Sequence, residues 1–170
     1  MQNVDYLAGA FLIRRLPPYQ ANIRKRLVKS PKVYWRDSGL LHALLNVPDE
    51  RALVVQPWVG ASWEGFVIEQ ALGELSSRGR HVEAYYFRTS DQYELDLVLD
   101  LGPERWAVEV KLTSSPSPAD MARVDKVADM IGASRRFLVS QVRRSAGDDR
   151  RASCNLAGLI ERLRLGAESV

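Results

Sequence analysis

Two apolar-rich runs, Tyr93 to Asp100 and Trp106 to Leu112, joined through a Gly102-Pro103 turn, constrain this chain more than any other feature. Short alternating runs bounded by Gly and Pro read as strands, and so brief a connection makes them an antiparallel hairpin. The first run carries Asp96 and the second Glu109-Val110-Lys111, with twelve residues between the aspartate and the glutamate. Strict alternation would put Tyr93, Leu95, Leu97 and Leu99 on one face and Glu94, Asp96, Val98 and Asp100 on the other. In the second run it separates Trp106, Val108, Val110 and Leu112 from Ala107, Glu109 and Lys111. Glu109 and Lys111 then point the same way, and the hairpin brings Asp96 alongside them. Two carboxylates and a lysine so placed suit a divalent metal and a phosphodiester.

The rest of the chain supplies a frame for that hairpin. Val82 to Arg88 reads as a preceding strand, and residues 136 to 140 as a fourth, buried one. Ser62 reads as the N-cap of a helix running to about Arg78, where Arg78-Gly79 stops it. On a helical projection Val67, Ile68, Ala71, Leu72 and Leu75 form one apolar stripe with Glu64 projecting into it. A carboxylate aimed at a core requires a cation, a metal or an exit to water. Ser117-Pro118-Ala119-Asp120 carries an N-cap, a proline at N1 and an acid at N3, and opens a second helix bearing Met121, Val124, Ala128 and Ile131. A loop containing Arg143, Arg144, Arg150 and Arg151 leads to a last helix with Leu156, Leu159, Ile160 and Leu163.

The first fifty residues read differently. Residues 5 to 12 resemble a helix end, and Leu12 to Leu16 and Lys32 to Trp35 form short strands around a basic loop. Arg24, Lys25, Arg26, Lys29 and Lys32 make that ribbon a candidate nucleic-acid contact, with Tyr19, Tyr34 and Trp35 available for stacking. A docking surface for an acidic partner fits the same pattern. A short helix from Leu40 to Leu45 follows, and the boundary falls between Pro48 and Pro57, which divides the chain into segments 1–50 and 51–170.

Charge follows this division. Residues 1 to 51 carry nine Lys/Arg against four Asp/Glu, residues 52 to 112 five against ten, and residues 113 to 170 ten against seven. Basic flanks around an acidic centre suit phosphate-gripping surfaces around a metal-gripping one. A single cysteine, Cys154, excludes an internal disulfide, and no run approaches the roughly 18 apolar residues of a membrane span. The sequence therefore predicts a cytoplasmic protein without a membrane partner. His42, His81 and Cys154 stand apart in sequence and read as structural.

The order helix, three meandering strands, helix, strand, with acids on the first helix and second strand and Glu-x-Lys on the third, resembles the PD-(D/E)xK nuclease superfamily. The resemblance implies an α/β (α+β) fold with a mixed sheet flanked by helices and a Mg²⁺ cofactor. Asp96, Glu109 and the Val110 carbonyl would be metal ligands, Lys111 the catalytic lysine, and Glu64 the supporting helix acid. The sequence departs from that motif at Leu95, which replaces a proline that is often missing in the superfamily. A narrower resemblance rests on Leu27 to Leu40, Gly60 to Val67, Tyr86 to Thr89, Glu94 to Val98 and Glu109 to Lys111. These runs are similar to the C-terminal domain of unknown function in bacterial and archaeal AAA-type ATPases. It implies that residues 1 to 45 end a winged helix and that an ATPase module acts in cis or in trans. No G-x-x-x-x-G-K-[ST] occurs in this chain, which reads as a C-terminal fragment or a shortened gene product. Three functions follow as expectations: Mg²⁺-dependent DNA cleavage, a non-catalytic regulatory or interaction module, and DNA binding through the basic ribbon.

Overall fold

The computed structural model describes residues 2–20, 27–28 and 30–167. Helix α1 (Gln2–Gly9) leads into a two-stranded antiparallel hairpin, β1 (Ile13–Leu16) and β2 (Lys32–Trp35), in which Leu16 stands opposite Lys32 and Arg14 opposite Tyr34. Two short helices follow, α2 (Ser38–Leu44) and α3 (Glu50–Val54), each capped by an aspartate side chain: Asp37 accepts from the Leu40 N–H and Asp49 from the Ala52 N–H. The α3 turn falls where the sequence suggested only an irregular boundary. Helix α4 (Val59–Ser77) is the longest element.

The remaining chain forms a six-stranded mixed sheet. Strands β3 (Glu83–Arg88), β4 (Glu94–Asp100) and β5 (Arg105–Val110) make an antiparallel meander. Helix α5 (Pro118–Met130) then crosses over to β6 (Arg135–Val139), which runs parallel to β5. The short β7 (Ala146–Gly147) and β8 (Arg151–Cys154) complete the spatial order β3-β4-β5-β6-β8-β7, and α6 (Leu156–Ala167) closes the chain. Strand β8 lies within the arginine-rich stretch that the sequence assigned to a loop.

Helices on both faces bury the sheet, as a parallel segment requires. Val67, Ile68, Ala71, Leu72 and Leu75 of α4, with Leu159 and Leu163 of α6, pack on Leu97, Leu99, Trp106, Val108, Phe137 and Val139. On the other face Met121, Val124, Val127 and Ala128 of α5 cover Leu95, Val98, Ala107 and Leu138. The expected capping box is present: the Ser117 hydroxyl accepts from the Asp120 N–H, and the Asp120 carboxylate accepts from the Ser117 N–H. Ser62, in contrast, is not an N-cap. Trp58 holds that position, the Ser62 N–H bonds the Trp58 carbonyl at 3.1 Å, and the Ser62 hydroxyl pairs with His42 Nε2 at 2.8 Å, tying α2 to α4.

The N-terminal hairpin is docked, not free. Leu16 and Tyr34 belong to the main core, and the chain on either side of the basic loop lies along the outer edge of β3. Tyr19 N–H donates to the Tyr86 carbonyl at 2.7 Å, Tyr86 N–H to the Pro17 carbonyl at 3.0 Å, and Val28 N–H to the Arg88 carbonyl at 3.0 Å. The edge of the sheet is thereby covered. Arg24, Lys25, Arg26 and Lys29, proposed as nucleic-acid contacts, lie outside the described residues.

Candidate functional site

The site begins with an irregularity in β4. Its register with β3 slips by one between the pairs Tyr85–Val98 and Phe87–Leu95, so Asp96 and Leu97 together oppose the single Tyr86. An extra residue in one strand reverses the alternation beyond it. Leu95 and Val98 accordingly share the α5 side, while Leu97 and Leu99 share the α4 side. The uniform alternation read from the sequence is corrected on this point.

Asp96 sits where β4 and β5 stop pairing. The last pair of that ladder is Leu97–Val108. One residue further, Asp96 Oδ2 accepts the Val110 N–H at 3.0 Å, replacing a strand carbonyl with a carboxylate. Its other oxygen, Oδ1, accepts from Lys32 Nζ at 3.0 Å. Only 6% of the residue's surface is exposed. Burial, then repulsion by Glu64, pushes the Asp96 carboxyl up to about 6, against the opposing pull of Lys32 and the Val110 N–H.

Lys32 is the centre of the arrangement. Period two along β2 puts Lys32 and Tyr34 on the face turned to α4, while Val33 is exposed. The Lys32 ammonium reaches Glu94 Oε1 at 2.6 Å, Glu64 Oε1 at 2.9 Å and Asp96 Oδ1 at 3.0 Å. Burial alone would drive the proton off, but Asp96 and Glu64 outweigh it and hold the pKa well above an ordinary lysine's. Tyr34 adds a second donor, its hydroxyl hydrogen-bonding Glu64 Oε1. Burial and the Glu64 charge both raise the Tyr34 pKa. Tyr34 reaches this far because residue 65 is glycine: a Cβ there would lie 3.2 Å from Tyr34 Cδ1. One helical turn along, Glu69 grips the same hairpin, accepting from Arg14 Nη2 at 3.1 Å and Arg36 Nε at 3.1 Å.

Glu109 and Lys111 part company. Glu109 Oε2 is sealed from solvent without a hydrogen-bond partner among the described residues, although other parts of the residue reach the surface. Burial, then the Asp96 charge, pushes its carboxyl up to about 9, despite Lys111 nearby. Both causes favour the neutral form of the carboxyl. The Lys111 ammonium pairs with Asp120 at the α5 capping box, and that hydrogen bond is the main reason the Asp120 carboxyl falls to about 2.

The structure thus brings Glu64, Asp96 and Glu109 into mutual electrostatic reach, turns Lys111 toward a helix cap, and directs Lys32 inward instead of toward an outer surface. Two participants were read from the sequence in another role, Lys32 and Tyr34 as nucleic-acid contacts, and Glu94 was placed only on the Asp96 face. The signal for Lys32 and Tyr34 was their shared face on β2, and for the whole cluster it was the cation that Glu64 required.

The magnesium expected from the sequence does not fit this arrangement. Both Asp96 oxygens and Glu64 Oε1 are engaged by protein donors, and Glu109 Oε2 is buried, which favours its neutral form. Oxygens 2.6 to 3.0 Å from a central atom match an ammonium, whereas Mg²⁺ takes its ligands at about 2.0–2.1 Å. Among the described residues no three His, Cys, Asp or Glu side chains form a group that could hold a metal ion.

Residues 59–157, more than half of the chain, match the family model of a domain of unknown function, DUF4143. The chain belongs to this family. Residues 2–51 match a second domain of unknown function, DUF8612. Two relatives described as uncharacterized proteins, from Mycobacterium bovis and Mycobacterium tuberculosis, are each 46% identical over 114 residues. That match takes in 67% of this chain and only 25% of either relative, so the chain spans about a quarter of their length. Within the DUF4143 match lie Glu64, Glu94, Asp96, Glu109 and Lys111; Lys32 and Tyr34 come from the segment matching the other model. No helix of the described residues is long and apolar enough to cross a membrane.

Proposed function

We propose that this DUF4143 chain is a non-catalytic regulatory or interaction module on a nuclease-like frame, serving an ATPase carried in cis or supplied in trans. The observation that carries the reading is the fate of the Glu-x-Lys pair: Lys111 is spent on Asp120, and Glu109 Oε2 is sealed from solvent without a partner among the described residues, an environment that favours the neutral acid. A lysine tied to a helix cap does not orient a water, and a neutral carboxylic acid is a poor ligand for a hard cation. The association with an ATPase rests on the sequence resemblance, and the matched relatives are long enough to hold further domains. DNA contact through Arg24, Lys25, Arg26 and Lys29 belongs to the same reading, as a partner-binding activity separate from the carboxylates.

Magnesium-dependent phosphodiester cleavage is the competing reading, favoured by the approach of Glu64, Asp96 and Glu109 to one another. Incubating the chain with plasmid, linear and branched DNA in Mg²⁺ or Mn²⁺ separates the two. The module reading expects no cleavage above buffer. Cleavage that disappears in Asp96→Ala and in Lys111→Ala would overturn it.

A further inference from the structure

Helices α2 and α3 bury none of their residues. At seven and five residues they are too short to persist on intrinsic propensity, and they depend on having an apolar face covered. Much of that face is open to solvent: Leu44 is 58% exposed, Val54 59% and Val55, just past α3, 75%, with Leu40 and Leu45 also exposed. Beside them lie two adjoining cavities that share Ser38 and Ser62. The smaller, of about 270 Å³, is lined by Leu41, Leu45 and Trp58, and the larger, of about 520 Å³, by Leu53, Val54, Trp63, Phe66 and Leu112. The charge around this face has one sign. From Asp37 to Glu50 stand three of the four acids of residues 1 to 51 and none of their nine Lys/Arg. Asp37, Asp49 and Glu50 are exposed, and none of the three forms an ion pair among the described residues.

We propose that α2, α3 and the first turns of α4 form a groove that takes a basic amphipathic helix of a partner protein. No strand residue lines the larger cavity, so an extended segment finds no edge to pair with there, whereas a helix satisfies its own backbone. Apolar side chains at i, i+3, i+4 and i+7 of the partner enter the two cavities, and the lysines or arginines beside them meet Asp37, Asp49 and Glu50. The net charge of +3 repels a cationic partner from the chain as a whole, so the local acidity is what selects this face. The groove's role rests on the interaction-module reading and gives that module a partner of defined chemistry. The two fail separately: the module reading falls to DNA cleavage, the groove to the loss of selective peptide binding in a chain that cleaves nothing.

The test uses the full chain and two labelled model helices of about fourteen residues, both with leucine at i, i+3, i+4 and i+7, one with lysine and one with glutamate at the other positions. Binding at physiological salt is followed by fluorescence anisotropy for wild type, Glu50→Lys and the double variant Leu45→Ser/Val54→Ser. Folding of each is checked by circular dichroism, and Glu50→Lys serves if the double variant does not fold. Wild type should bind the lysine helix at least tenfold more tightly than the glutamate helix. The double variant should lose at least tenfold for the lysine helix, and Glu50→Lys should narrow the preference between the helices at least threefold. Equal binding of the two helices by wild type, or undiminished binding by a folded double variant, would overturn the proposal. Light scattering supplies the remaining outcome: a wild-type dimer that Val54→Ser converts to monomer would assign the face to a second copy of this chain and overturn it as well.

Discussion

Glu109 offers the sharpest test of the site's electrostatics. In an unfolded chain its carboxyl ionises near 4.5; in the folded protein burial and Asp96 hold it protonated up to about 9. The folded state therefore binds one more proton than the unfolded state between those limits. The sign follows: the stability contributed by this group is whole below about 4.5, declines as pH rises through the window, and is gone above about 9. Each pH unit costs about 1.4 kcal/mol, so at pH 7, about 2.5 units into the window, the loss is on the order of 3–4 kcal/mol. Asp96, raised to about 6, acts with the same sign but only in the lower part of the window. Glu109→Gln keeps the shape and cannot ionise. Chemical denaturation at several pH values between 5 and 8.5 should show wild type losing stability steadily, with the variant flatter above pH 6.5 and the more stable of the two by pH 8. Parallel profiles, or a variant that loses more stability at pH 8 than at pH 5, would refute the assignment of Glu109 as a sealed neutral acid.

Three further substitutions probe the surroundings. Tyr34→Phe removes the hydroxyl that donates to Glu64, and should cost about 2 kcal/mol in urea denaturation, since bonds to charged acceptors are worth about 1.5–3; a neutral effect would mean Glu64 is satisfied without it. Lys111→Ala breaks a partly exposed pair with Asp120 and should change stability by less than about 1 kcal/mol, so a loss beyond 2 would assign Lys111 a structural role at the carboxylates. Gly147 has φ +114°, and a Cβ there would lie 2.2 Å from the Arg151 carbonyl oxygen and 2.7 Å from Ala152 Cα. Gly147→Ala should therefore cost about 2 kcal/mol or more and loosen the β7–β8 end of the sheet in hydrogen exchange.

Features set by short-range patterns were legible in the sequence. The 93–112 hairpin, the apolar stripe from Val67 to Leu75, the stop at Arg78-Gly79 and the Ser117–Asp120 capping box each depend on residues within a few turns or strand steps of one another. The slip at Asp96 and Leu97 was not legible, because it arises from pairing with Tyr86 and period two carries no mark of it. Ser62 misled for a related reason. It has the chemistry of a cap, but the helix had already begun at Val59, and its hydroxyl was taken by His42. Strand β8 was hidden by its arginines: Arg151 points to Asp125 at 2.7 Å, and the strand is recognisable only from buried Ala152 and Cys154 beside β6. Glu64 lay between these cases. Its demand for a cation could be read from the helix phase, whereas the identity of that cation, thirty-two residues earlier, could not.

That identity decides what the cluster is suited to. A dissolved Mg²⁺ must shed tightly held water and draw its ligands in to about 2.0–2.1 Å, and the ligands must be ionised. The carboxylates here stand farther apart, 2.6 to 3.0 Å from Lys32, with one of their oxygens shared by Tyr34 and another by the Val110 N–H. An ammonium needs neither contraction nor dehydration to that degree, and a tethered one competes at the high effective concentration its attachment enforces. Glu69, with Arg14 and Arg36, raises that concentration further by fixing the hairpin on the same helix. Lys32 thus has the advantage over a free ion, because Leu16 and Tyr34 of the same hairpin are buried in the main core and hold it in place.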